Sequence, residues 1–207
     1  MSKLVARTLI AATLAAGAFA AQAAPAAAEG PWMMRVRAVN LDSANKDTTG
    51  LGLTINNKVI PEVDFSYFFS PNLAAELILT YPQKHTLSAG GAEIGTLKHL
   101  PPTLSLQYHF APNAAFRPYV GAGLNYTIFS DVKFDPAVDK ALSPSVKHTS
   151  MGLSLQLGFD YEISKNLFLN VDIKKVQIGT KVYAAGTEVG KFKVDPLLVG
   201  VGLGFRF

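Results

Sequence analysis

Ser150-Met151-Gly152-Leu153-Ser154-Leu155-Gln156-Leu157-Gly158-Phe159-Asp160-Tyr161 alternates without a break. Successive side chains of a strand point to opposite faces, so Met151, Leu153, Leu155, Leu157, Phe159 and Tyr161 form one face. Ser150, Gly152, Ser154, Gln156, Gly158 and Asp160 form the other. The stretch is longer than an ordinary strand and fits the roughly 9–11 residues that a tilted strand needs to cross a bilayer.

The same period recurs seven times more. The alternation predicts strands over 32–39, 62–69, 73–81, 103–110, 117–129, 150–161, 167–178 and 197–207. In the last of these, Leu197, Val199, Val201, Leu203, Phe205 and Phe207 oppose Gly200, Gly202, Gly204 and Arg206. Between the strands, short links (70–72, 111–116, 162–166) alternate with long ones (40–61, 82–102, 130–149, 179–196). An even strand count with this rhythm predicts an all-β fold. It is an eight-stranded antiparallel up-and-down transmembrane β-barrel with long extracellular loops and short periplasmic turns.

Parity alone does not separate this from a soluble barrel with an apolar cavity. Three features favour the membrane. Arg35, Arg37, Glu62, Asp64, Glu76, Asp160, Asp172, Lys174 and Arg206 all fall on the weaker face, which is also rich in glycine, as a crowded narrow lumen requires. Aromatics gather at the strand ends: Trp32, Phe69, Tyr108, Phe110, Phe116, Phe159, Tyr161, Phe205 and Phe207 at one rim, and Tyr81, Tyr126 and Phe129 at the other. Two such belts mark the membrane interfaces. Lys175 breaks the parity, late enough in its strand for its stem to reach the interface.

The ends of the chain agree. Lys3 and Arg7 precede an alanine-rich apolar stretch and an Ala21-Gln22-Ala23 cleavage pattern, predicting a removed signal peptide over 1–23 and a barrel over 24–207. Without Lys3 and Arg7 there remain 17 basic against 15 acidic residues, a balance that gives no reason to invoke nucleic acid. The chain has no cysteine, so neither disulfides nor thiolate metal sites hold it. The ending Gly202-Leu203-Gly204-Phe205-Arg206-Phe207 looks like the signal that the outer-membrane assembly machinery reads on a last strand, with Gly202, Phe205 and Phe207 as its marks.

The chain resembles the outer-membrane protein W (OmpW) family over essentially its mature length. The likeness rests on Lys98-His99-Leu100-Pro101-Pro102-Thr103-Leu104-Ser105-Leu106-Gln107-Tyr108-His109-Phe110 and on Arg117-Pro118-Tyr119-Val120-Gly121-Ala122-Gly123-Leu124-Asn125-Tyr126-Thr127. Lys84-His85 and Asp195-Pro196 before the glycine-rich last strand also fit. The resemblance implies a narrow, largely closed lumen and a part in the uptake of small hydrophobic compounds, which enter from outside and leave sideways through the wall. The family is usually richer in aromatics where this chain has Lys174-Lys175.

Eight strands leave an interior just wide enough for side chains. The nine charged lumen residues named above are therefore expected to pair and to form a polar plug nearer the periplasmic end. Val39, Ile78 and Phe129 are candidate apolar channel-wall residues toward the outside. The expected partners are outer-membrane lipids and lipopolysaccharide, the assembly machinery and a small hydrophobic ligand. No cofactor is expected. A structural, adhesive or receptor role is the alternative, with Lys84, His85, Lys98 and His99 as cations of the second long loop and Lys133, Lys140 and Lys147 of the third. Lipid A modification is a further alternative. His148-Thr149-Ser150 offers a base and a nucleophile but no evident acidic partner. His85, His99, His109 and His148 lack metal-ligand spacing, so no metal is expected.

Overall fold

A computed structural model describes residues 29–207; the expected signal peptide, 1–23, lies outside the described residues. Eight strands form the barrel: β1 Trp32–Asp42, β2 Lys58–Phe68, β3 Leu73–Leu79, β4 Thr103–His109, β5 Phe116–Phe134, β6 Thr149–Ser164, β7 Leu167–Val176 and β8 Leu197–Arg206. Each pairs antiparallel with its neighbours in sequence, and β1 against β8 (Met33 opposite Arg206 through Asp42 opposite Leu197) closes the ring. Closure leaves no unpaired edge around the cylinder, the condition for a sheet to stand in lipid.

The alternation translates directly into two surfaces. In β6, Met151, Leu153, Leu155 and Leu157 point outward, and Met151 is 75% exposed, while Ser154, Gln156 and Asp160 are buried inside. Exposed apolar surface of this extent belongs against acyl chains rather than water. At the periplasmic end the outward aromatics touch one another edge-on, with ring centres 4.9 Å apart for Trp32–Tyr67 and 5.2 Å for Tyr108–Phe110. The start of β1 and the end of the chain at Phe207 meet there, with Trp32 N–H donating to the Phe207 carbonyl at 3.1 Å.

The weaker face needs small residues because the lumen is filled. A Cβ on Gly158 would lie 2.5 Å from the Tyr119 ring, and one on Gly202 would lie 2.0 Å from the Val36 carbonyl oxygen. Both positions therefore accept only hydrogen.

The strand bounds depart from expectation toward the outside. β2 begins at Lys58, four residues early; β3 stops at Leu79 instead of 81; β5 runs on to Phe134. The long links, expected as loops, are largely folded. A hairpin of Gln83–Ala89 and Ala92–Leu100 continues the wall upward, paired with Leu53–Ile55 on one side and with β5 on the other. A second sheet stacks Pro144–Val146, Gly179–Ala184, Thr187–Lys193 and Lys46–Asp47. A short helix, Pro136–Leu142, joins β5 to it, with the Asp135 carboxylate capping Ala137 N–H. These pieces fold because each carries its own alternation. Leu53, Ile55, Leu87, Leu97, Val182 and Phe192 turn inward and pack into one apolar cluster.

Candidate functional site

The lumen divides into two zones along the barrel axis. In the periplasmic half, β1 points Arg35 and Arg37 inward, two residues apart, and both are buried. Arg35 holds Asp160 through two bonds, Nε to Oδ1 at 3.0 Å and Nη2 to Oδ2 at 2.8 Å. It also donates to Asp64 at 3.0 Å and to Ser66 at 2.8 Å. Arg37 donates to Asp64 and, at 3.1 Å, to Glu76; its Nε lies 2.9 Å from Glu62 as an ion pair without hydrogen-bond alignment. Lys174 bridges Glu62 at 2.7 Å and Asp172 at 2.9 Å.

Uncharged groups add further hydrogen bonds to these carboxylates. Tyr119 donates its hydroxyl to Asp172 at 2.9 Å, Gln156 donates to Glu76 at 2.8 Å, and Asn170 donates to Asp160 at 2.8 Å. Five carboxylates thus surround three cations drawn from β1 and β7. A charge in such a place persists only when paired and hydrogen-bonded, since desolvating one ion costs several kcal/mol. With the cations on β1 and β7 and most of the acids on β2, β3 and β6, every pair except Lys174–Asp172 crosses strands, and Arg35–Asp160 ties β1 to the non-adjacent β6 across the lumen.

Arg206, grouped with these residues on parity alone, sits apart at the periplasmic mouth. Its guanidinium lies 3.8 Å from the Phe68 ring centre and 2.9 Å from Glu29, which Arg117 also holds at 2.7 Å. Beneath them Met33, Phe68, Ala74 and Phe168 form a small apolar ring. Gly202 lies against the Arg37 backbone, and Phe205 and Phe207 stack at 6.1 Å on the outer rim.

The outer half is of opposite character. Val39 and Phe129 join Leu41, Ile60, Val176, Ile178 and Val194 in the apolar cluster. Ile78 is buried just below. At the junction between the zones lies a cavity of about 20 Å³, lined above by Leu41, Ile60 and Leu198 and below by Glu62 and Lys174. That volume holds scarcely more than one water, so the passage is closed in this conformation.

The wall is weakest beside that cavity. The β2–β3 ladder ends at Val63–Leu79 and the β3–β4 ladder at Ile78–Thr103. Just above them stand Pro61, Pro82, Pro101 and Pro102, four residues without a backbone N–H. The Thr80 hydroxyl, donating to the Pro61 carbonyl at 2.8 Å, spans the seam, and Lys58 reaches the Lys84 carbonyl above it at 3.3 Å. Thr80 and Pro101 also line the cavity.

Two histidines depart from the expectation of exposed loop cations. His85 and His99 are both buried, stacked at 4.6 Å on the floor of the apolar cluster. They are turned inward because the hairpin that carries them is part of the wall, where alternate residues face the lumen. Burial pushes the His99 imidazole down to about 3, helped by the neighbouring His85 and by Lys58. Burial likewise lowers His85, against the hydrogen-bonding Asn56 carbonyl that favours its charged form. His109 pairs with Gln107 at 3.2 Å inside the lumen.

His148 and Ser150 are each engaged elsewhere. His148 Nδ1 lies 3.3 Å from the Phe129 carbonyl, and Ser150 Oγ accepts from Gly179 N–H at 3.1 Å. Among the described residues no three His, Cys, Asp or Glu side chains gather as metal ligands.

Residues 28–207 match the model of the OmpW family. The outer-membrane protein y4mB of Sinorhizobium fredii is 39% identical over 88% of this chain and 82% of its own length. Outer membrane protein W of Vibrio cholerae is 34% identical over 86% and 89% respectively. Among solved structures, the outer membrane protein OprG from Pseudomonas aeruginosa superposes with a TM-score of 0.75 at 28% identity, covering 86% of this chain and 97% of that one.

Proposed function

The chain belongs to the OmpW family of outer-membrane β-barrels, and from that premise we propose that it admits small hydrophobic molecules at its outer end and releases them sideways into the membrane. The observation that carries this reading is the change of lumen chemistry at one level. Apolar residues fill the outer half, a charged network fills the inner half, and the proline seam interrupts the β2–β3 and β3–β4 ladders where they meet. An apolar solute is stabilised against Phe129, Val39 and Ile78, as any apolar surface removed from water is. It has no comparable partner among the ion pairs below, whose separation would leave unpaired buried charge. The seam, with few hydrogen bonds to break, is the cheaper exit. Ions find the reverse: an apolar constriction above and a charge-paired plug beneath. The protein is thus a selective path for uncharged solutes and a poor conductor of salt, and the reading assigns it no catalysis.

The direct test compares entry of a short alkane or terpene-like compound into cells with and without the protein. Faster entry with the protein is expected; equal rates would reject transport.

A further inference from the structure

The outward face of the four-stranded extracellular sheet gathers lysines in cross-strand register. Val146 is opposite Val182, so Lys147 lies beside Lys181, with its N–H donating to the Lys181 carbonyl at 2.9 Å. Lys181 is directly opposite Lys191, and Lys193 is directly opposite Lys46. Like charges placed opposite each other destabilise a sheet. Carboxylate relief is thin: Glu188 pairs with Lys181 at 2.6 Å, while the Asp195 carboxylate accepts Ile178 N–H and Asp47 is bound to its own loop.

Lys147, Lys181, Lys191 and Lys193 line an open groove of about 380 Å³ whose lower edge is Ser150 and Met151. Met151 tops the lipid-facing column of Leu153, Leu155 and Leu157. The groove therefore stands where acyl chains end and headgroups begin, on the outer side. The cations of the second loop lie elsewhere: Lys84 and Lys98, with Lys133 of the third, line a separate pocket together with Asp131, which holds Lys98 at 2.6 Å.

We propose that this groove binds a phosphate group of lipopolysaccharide in the outer leaflet, whose acyl chains lie along Met151 and Leu153 below. An anion at the Lys147–Lys181–Lys191 row removes the repulsion that the bare sheet carries, and several ammonium donors converge on it. Free phosphate and phospholipid headgroups share the anionic chemistry but not the combination of two phosphates with several chains.

The test uses the mature barrel in phosphatidylcholine nanodiscs and labelled lipopolysaccharide. Replacing Lys147, Lys181 and Lys191 together by Gln should weaken binding at least tenfold, whereas Lys84→Gln with Lys133→Gln should change it less than twofold. Removing the lipid A phosphates should lower wild-type binding to the same degree. Equal concentrations of phosphatidylglycerol or inorganic phosphate should compete poorly. Unchanged binding by the triple variant, or phosphatidylglycerol competing as well as lipopolysaccharide, overturns the proposal. A measurement on wild-type protein covers the event that the variant does not assemble. Lipopolysaccharide should slow acetylation of Lys147, Lys181, Lys191 and Lys193 relative to Lys84 and Lys133; equal reactivity overturns the proposal as well.

Discussion

The two halves of one tube solve the problem of filling a narrow lumen in opposite ways. Around Arg35 and Arg37 the space is taken by charges whose partners lie on other strands, most of them held by directional hydrogen bonds. Around Phe129 it is taken by Leu41, Ile178 and Val194, held only by contact and drawn partly from loop segments. A directional network resists being parted because each broken pair leaves an unpaired ion. A contact-held cluster can part and re-form at the cost of its packing alone. The difference teaches which half resists parting and which can rearrange, and the proposed path runs through the second and leaves at the junction.

The largest expected effect comes from breaking the directional half. Arg37→Ala removes the cation shared by Asp64, Glu76 and Glu62, leaving Arg35 and Lys174 to balance five buried carboxylates. Removing one partner of a buried ion network costs about 3–5 kcal/mol. Urea unfolding in lipid vesicles, followed by the fluorescence of the single tryptophan, Trp32, should report that loss. The same variant should conduct ions across planar bilayers more readily than the parent, which is itself expected to conduct little. A variant as stable and as closed as the parent would mean that the network does not hold the inner half.

Overfilling comes next. Gly158→Val drives a side chain into Tyr119, which donates to Asp172. Overpacking of this kind costs about 1–3 kcal/mol, and lowered heat resistance of the folded band on a gel should reveal it. Assembly without penalty would show that Tyr119 has room to move.

A gentler change sharpens the contrast in the contact-held half. Phe129→Leu should cost about 1 kcal/mol, as modest changes to core volume do, while speeding entry of a bulky apolar solute. Slower entry would point to Phe129 as a binding surface rather than a constriction.

The smallest effect is one of pH. His85 and His99 are held neutral by burial, below the ordinary histidine value of 6.5. The unfolded hairpin therefore binds more protons than the folded one between that value and about 3. Stability contributed by the pair is complete above pH 6.5 and falls as pH drops through the window. Amide exchange in the hairpin strand Ala92–Leu100 should accelerate relative to β6 between pH 7 and pH 4, after correction for intrinsic rates. Equal change in both segments would show that the histidines are not what the acid acts upon.

Much of this was legible in the alternation of β6 and its relatives, because lipid outside and crowding inside both act on every second residue. Ionisable groups declared themselves by type: Arg35, Arg37 and Glu76 are conspicuous on a glycine-rich face. Tyr119, Gln156 and Asn170 were not, since nothing in an uncharged polar side chain tells whether it completes a network or faces a loop. Leu53, Leu87 and Leu97 were hidden inside long links whose pairing depends on contacts distant in sequence. Arg206 matched the lumen parity, yet parity says nothing of depth, and one strand end separates it from the network. The prolines at the seam were visible as residues; only the register, which ends the ladders at Leu79 and Thr103, brings them to one level.

The central claim is that solutes leave through the wall at the junction. The chain has no cysteine, so Pro61→Cys with Tyr81→Cys, both on the outward face and in register two positions beyond the Val63–Leu79 pair, places a reversible staple across the seam. Uptake of a small terpene-like compound should fall to the protein-free background on oxidation and return on reduction. Uptake that continues undiminished through the oxidised, stapled barrel would contradict the account.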